Sequence, residues 1–211
     1  MRFFDAKLVH QLLDYPSLVE ALAESHKNDV DPASSVMLQK PTPTGDTSYF
    51  LALAAWQKDK ALGAKLVTLF PDNEHNTSGL PSVQGVYILF DGTNGKLSAC
   101  IDGTALTLRK TAADSALGTR LLANPNPANM LMVGAGALAP HLIEAHRSMR
   151  PSIKQVLIWN RTPERAQNLA STLKLDGVRV EATTDLETAT RNADLISCAT
   201  MATEPLIKGA W

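Results

Sequence analysis

Residues 130–146 read MLMVGAGALAPHLIEAH, and they decide how this chain folds. A buried-type apolar run stops at a glycine, and a helical pattern opens a few residues later. Gly134, Gly136 and Ala139 stand in the spacing G-x-G-x-x-G/A. Gly134 permits a tight turn, Gly136 lets the backbone approach a pyrophosphate, and Ala139 is small where helix meets strand. The N–H groups along Gly134, Ala135, Gly136, Ala137 and Leu138 then face an anion at a helix N-terminus. Pro140 falls in the first turn, where its missing N–H costs little. The bland alternative is a glycine turn that only packs.

Residues 156–165, VLIWNRTPER, form the next strand and the start of its helix. In a dinucleotide-binding unit this strand end meets the adenosine ribose, where an Asp or Glu would bind the 2′-hydroxyl of NAD. The chain has Asn160 there, followed by Arg161, Thr162 and, one helical turn on, Arg165. A guanidinium pairs with a 2′-phosphate that a carboxylate would repel. NADP(H) is therefore the preferred cofactor and NAD(H) the possible one. Thr162 also suits an N-cap before Pro163 at the first helical position, and the arginines could simply be solvated.

Outward from this point, strand and helix alternate: strands at 130–134, 155–159, 178–182 and 195–200, helices at 137–147, 163–174 and 186–192. The alternation predicts an α/β fold, a Rossmann-type doubly wound parallel sheet. The breaker NPNPAN places a domain boundary near 125, giving an α+β domain over 1–125 and a dinucleotide-binding domain over 126–211. In the first domain, Asp5 can cap AKLVHQLL, and Ser17 to Glu20 forms a capping box for LVEALAESH. DPASSVMLQKPTPTGDTS reads as a connection. Four strand-like runs follow, YFLALAAW, LGAKLVTLF, SVQGVYILF and KLSACID, separated by PDNEHNTSGLP and DGTNGK. From Thr104 to Ala123 the pattern is helical and small-sided, with Ala112, Ala113, Ser115, Ala116 and Gly118 open to close approach.

At 211 residues and 45% hydrophobic, the chain can bury a sizeable core. A net charge of −1 with no basic block gives no reason to expect nucleic acid or an anionic membrane. No apolar run is long enough to span a bilayer, and Asp5 and Asp14 are misplaced for a signal peptide. Cys100 and Cys198 make neither a metal spacing nor a disulfide framework. The expectation is a cytoplasmic protein without a metal.

LGAKLVTLFPDN, GLPSVQGVYILFD, NGKLSACIDGTALTLRKTAADSALGTRLLA, VGAGALA, WNRTPERA and ATMATEPLIKGAW together resemble the ornithine cyclodeaminase/mu-crystallin family over nearly the whole chain. The resemblance implies a Rossmann domain preceded by an α+β substrate domain that forms a homodimer. It implies a nicotinamide cofactor and a small imino or amino acid as substrate. By the same resemblance Lys65 is the substrate-binding and catalytic lysine. Its residue-level reading agrees, since it is the one charge in a long apolar run and needs a partner such as a carboxylate. The alternative is a lysine snorkelling at a strand edge. Ser82, Lys110, Thr200, Met201 and Ala202 fall where relatives touch cofactor, and Lys110 also falls at the substrate; a local alternative for Lys110 is an i,i+4 pair with Asp114.

Three departures from the family pattern matter, the first two for substrate identity. Ser34 stands where relatives have an arginine, Lys110 replaces another arginine with Arg109 beside it, and relatives run on beyond Trp211 to a catalytic aspartate. The expected activity is an NADPH-dependent ketimine reductase or amino-acid dehydrogenase, and the 211 residues are expected to be part of a longer chain. Two alternatives stand beside it. One is ornithine cyclodeaminase, whose tightly held NAD would favour an acidic residue at position 160. The other is a non-catalytic mu-crystallin-like binding protein.

Overall fold

The computed structural model describes residues 1–28, 32–74 and 79–211. Asp31 of the first connection and 75–78 of the PDNEHNTSGLP turn lie outside the described residues. By packing, the chain forms two compact units, Met1–Asp14 with Glu24–Arg109, and Tyr15–Ala23 with Lys110–Trp211.

The first unit is built on a six-stranded sheet. Its strands are β1 (Arg2–Phe4), β2 (Ser34–Pro41), β3 (Thr47–Gln57), β4 (Ala61–Leu69), β5 (Val83–Asp91) and β6 (Leu97–Asp102). They lie in the order β1-β6-β5-β4-β3-β2. From β2 to β6 every pairing is antiparallel, while β1 lies parallel to β6. Helix α1 (Ala6–Leu12) is capped as expected, with the Leu8 N–H donating to Asp5 Oδ1 at 2.8 Å. Its far end is held by Arg109, which is buried and donates from Nε to the Leu13 carbonyl at 2.8 Å and from Nη2 to the His10 carbonyl at 3.1 Å. Both contacts take up carbonyls that a helix end leaves without partners.

Three expectations change here. DPASSVMLQKPTPTGDTS is not a plain connection, because Ser34–Pro41 forms strand β2, exposed along its whole length. Pro41 is tolerated because it closes an edge strand. Arg2–Phe4, ahead of the Asp5 cap, is a strand where no element was expected. Finally, helix α2 (Tyr15–Ser25) begins two residues before Ser17, so the capping-box signature falls inside its first turn.

The second unit carries the alternating pattern: β7 (Asn129–Val133), α4 (Ala139–Met149), β8 (Gln155–Trp159), α5 (Pro163–Thr172), β9 (Arg179–Thr183), α6 (Leu186–Arg191) and β10 (Leu195–Cys198). All its pairings are parallel, in the order β10-β7-β8-β9. The chain steps from β7 to β8 and β9 on one side, then returns to the other side of β7. That reversal makes a topological switch point between β7 and β10. Successive residues of β7 serve opposite faces: Met130 and Met132 join one core with Ile143, Val156 and Ile158, while Leu131 and Val133 join another with Ala189.

Helix α3 (Gly103–Leu122) belongs to the first unit up to Arg109 and to the second from Lys110. The division by packing therefore falls inside a helix, ahead of the sequence boundary near 125. Ala112, Ala113 and Ala116 are fully buried in the larger core, together with Tyr15 and Val19 of α2. Small side chains let α3 come that close. The C-terminal end of α3 is fixed by Arg150, whose Nη2 donates to the Thr119 and Arg120 carbonyls at 3.0 and 2.9 Å.

Candidate functional site

The site grows from the carboxyl end of β7. Gly134 has φ +111°, and a Cβ there would lie 2.2 Å from the Ala199 carbonyl oxygen and 3.2 Å from Thr200 Cγ2. Only glycine fits both the backbone angle and the approach of the segment leaving β10. The Gly134 N–H continues the sheet by donating to the Trp159 carbonyl at 2.8 Å, and the Ala199 N–H donates to the Val133 carbonyl at 2.8 Å. The ends of β7, β8 and β10 are thereby tied together, and Thr200 is brought beside the turn.

Gly136 serves differently: nothing lies within 4 Å of where its Cβ would be. Among the described residues no backbone acceptor takes the N–H groups of Gly136, Ala137 or Leu138. Helix α4 begins at Ala139, two residues later than expected, because 136–138 form the turn and Ala139 donates back to the Gly136 carbonyl at 3.0 Å. Ala139 is fully buried and Pro140 sits in the first turn. An open backbone with unused donors at a helix N-terminus fits a pyrophosphate.

Asn160 ties the glycine turn to the segment that follows β8. Its Oδ1 accepts from the Ala135 N–H at 3.2 Å, and its Nδ2 donates to the Thr162 carbonyl at 2.9 Å. The amide thus holds the glycine turn against the end of β8 while shaping the bend that starts α5. Thr162 occupies the N-cap position before Pro163, but its side chain makes no capping bond. Arg161 and Arg165 are exposed, and neither forms an ion pair among the described residues. Two guanidinium groups without ion-pair partners among the described residues follow the end of β8, with Glu164 between them in the first turn of α5. Met201 is almost fully exposed, and the Ala202 N–H donates to Thr200 Oγ1 at 3.3 Å.

In the first unit Lys65 lies in the middle of β4, opposite Leu53 of β3 and Tyr87 of β5. Its face of the sheet is otherwise apolar at Leu53 and Ile101, and its ammonium has no partner among the described residues. Ser82 immediately precedes β5, and its carbonyl accepts the Phe70 N–H at 2.8 Å. Lys110 pairs with Asp114 one turn along α3, the local alternative to a ligand contact. Arg109 is committed to the end of α1, so it does not replace the arginine that relatives carry at position 110. Sequence reasoning did not single out Tyr87, whose ring crosses the sheet onto Gly63. No local pattern announces a contact made between two strands. Among the described residues no cluster of His, Cys, Asp or Glu could hold a metal ion.

A parallel sheet with a glycine turn at its switch point defines a dinucleotide-binding α/β protein. The chain belongs to the ornithine cyclodeaminase/mu-crystallin family, whose model matches residues 8–211. It is 40% identical to a Delta(1)-pyrroline-2-carboxylate reductase of Paracoccus denitrificans, over 94% of this chain and 61% of that protein. It is 39% identical to Protein SAR DEFICIENT 4 of Arabidopsis thaliana, over 99% of this chain and 66% of that protein. The chain therefore spans a little under two thirds of the length of these curated relatives. Its fold matches the Delta(1)-pyrroline-2-carboxylate reductase of Thermococcus litoralis, solved with NADH and L-proline, with a TM-score of 0.83 and 25% identity. That match covers all of this chain and 65% of the other.

Proposed function

We propose that the protein is an NADP(H)-dependent reductase of a small cyclic imino acid of the Delta(1)-pyrroline-2-carboxylate type, or a closely related amino-acid dehydrogenase. The observation that carries the reading is Lys65, an unpaired ammonium in an apolar sheet face, in a chain 40% identical to a reductase of that name. An ammonium held there without a counter-ion suits a substrate carboxylate, whose charge it would neutralise.

When bound, the nicotinamide supplies the hydride that reduces the C=N carbon. The chain's own residues bind and orient. Backbone N–H groups at Gly136, Ala137 and Leu138 would hold the pyrophosphate, and Thr200, Met201 and Ala202 line the end of β10 where the nicotinamide half belongs. Ser82 and Lys110 are kept as further cofactor contacts, and Lys110 also as a substrate contact, on family grounds. Arg161, with Arg165 and Thr162, would take the 2′-phosphate, while Asn160 keeps a carboxylate out of that position. The working form is a homodimer. Support comes from the first unit, where both faces of β2 expose large apolar side chains, while both buried clusters of the described residues lie in the second unit.

The test is oxidation of NADPH and of NADH by the protein with Delta(1)-pyrroline-2-carboxylate, repeated for Arg161→Ala. NADPH should be preferred, and the substitution should weaken NADPH binding by about 1.5–3 kcal/mol with little effect on NADH. Preference for NADH, equal losses with both cofactors, or no imine-dependent oxidation would overturn the reading.

A further inference from the structure

Tyr87 lies directly across from Lys65 on the neighbouring strand, and Gly63 lies two residues before Lys65 on the same face. A Cβ at Gly63 would stand 1.9 Å from Tyr87 Oη and 2.6 Å from Cζ. The phenol therefore rests on bare backbone at Gly63, and its hydroxyl is one same-face step, roughly 7 Å along the strand, from Lys65. Any other residue at position 63 would push it away. Among the described residues neither the Tyr87 hydroxyl nor the Lys65 ammonium has a partner. An ammonium that only donates and a phenol that can donate or accept thus share one part of an apolar face. Phenylalanine would fill the Gly63 notch equally well, so packing alone does not call for the hydroxyl. Among the described residues neither polar atom is a buried one left without a partner, so both stay open to solvent and to a ligand.

We propose that Tyr87 is a substrate-binding residue, its O–H donating to the carboxylate that Lys65 holds, with Gly63 as the notch that seats it. The proposal rests on the reading of Lys65 given above. The lysine stem is long enough to span that same-face step, which would bring both donors to the two oxygens of one carboxylate. Burial pushes the phenol above its ordinary pKa, so it remains a donor through the neutral range.

The experiment compares wild type with Tyr87→Phe, Gly63→Ala and Lys65→Met. It measures imine reduction and, by calorimetry with NADPH present, the binding of L-proline and of L-prolinamide. Tyr87→Phe keeps the ring in its notch and should unfold at the wild-type temperature. It should raise KM for the imino acid and Kd for L-proline about tenfold, leaving kcat and NADPH binding unchanged. Its L-prolinamide affinity should fall much less, because the amide oxygen accepts without the charge that strengthens a bond to a carboxylate. Gly63→Ala should reproduce the loss by displacing the phenol. If Lys65→Met weakens L-proline while Tyr87→Phe does not, the role of Tyr87 fails and that of Lys65 stands. If Tyr87→Phe weakens the amide equally, the carboxylate contact is wrong. If Lys65→Met changes nothing, or wild type neither turns over the imine nor binds L-proline, both fall together.

Discussion

Asn160 is the residue at which the proposed cofactor choice and the local architecture meet. Its amide accepts from Ala135 and donates to the Thr162 carbonyl, so both ends of the side chain are committed. Asp at this position would keep the acceptor, lose the donor, and set a carboxylate where a 2′-phosphate is expected. Asn160→Asp should therefore shift preference from NADPH towards NADH by about 10- to 100-fold, as read from the ratio of kcat/KM values. An unchanged ratio would mean that the 2′-phosphate binds elsewhere. Gly134 makes a prediction about folding. Its positive φ and the 2.2 Å approach to the Ala199 carbonyl mean that Gly134→Ala must move either β10 or the turn. The loss should be at least about 1–3 kcal/mol in denaturant unfolding. Gly136→Ala has free space and should leave stability nearly unchanged, but weaken cofactor binding.

At the scale of elements, three pieces of the second unit meet at one histidine. His146 on α4 is buried, with Thr119 Oγ1 of α3 at 2.7 Å from Nδ1 and Ser197 Oγ of β10 at 3.1 Å from Nε2. Hydroxyls can donate or accept, so they suit either neutral tautomer. Burial lowers the pKa from 6.5 to about 4. The unfolded chain therefore binds a proton between those values that the folded chain refuses. Stability should be full above pH 6.5 and fall by about 3 kcal/mol as pH drops towards 4, with no further loss from this group below that. Denaturant midpoints across that range, for wild type and His146→Leu, check the slope. The idea sinks if the substitution leaves the slope intact.

The elements also differ in how legible they were. The second unit could be read because its signals are local: apolar strands, a glycine turn, Pro140 and Pro163 in first turns. Strand β2 could not, because an edge strand exposed throughout need not carry apolar alternation, and its two serines and closing proline imitate a connection. β1 is three residues long and exists through its pairing with β6. The Thr119–His146–Ser197 cluster and the Tyr87–Gly63 contact join distant positions, so neither leaves a periodic trace in the sequence.

At the scale of the molecule, the question is what covers the sheet of the first unit. Val36, Met37 and Leu38 are consecutive on β2, so they point alternately to its two faces, yet all three are about 60% exposed. Trp56, Phe70 and Val83 are also substantially exposed on or beside the same sheet. A long edge strand with apolar side chains invites pairing or burial by another chain. A second copy offers an identical surface, and a two-fold interface needs only self-complementarity. Light scattering should therefore give about twice the mass of one chain. Replacing Val36 and Leu38 together with lysine charges one face of the strand, and should convert the dimer to monomer while leaving the second unit folded. Binding of NADPH, which the proposed function assigns mainly to the second unit, should survive that substitution. A wild-type mass of one chain at micromolar concentration would refute the dimer, and a dimer that persists with both lysines would place its interface away from this face of β2.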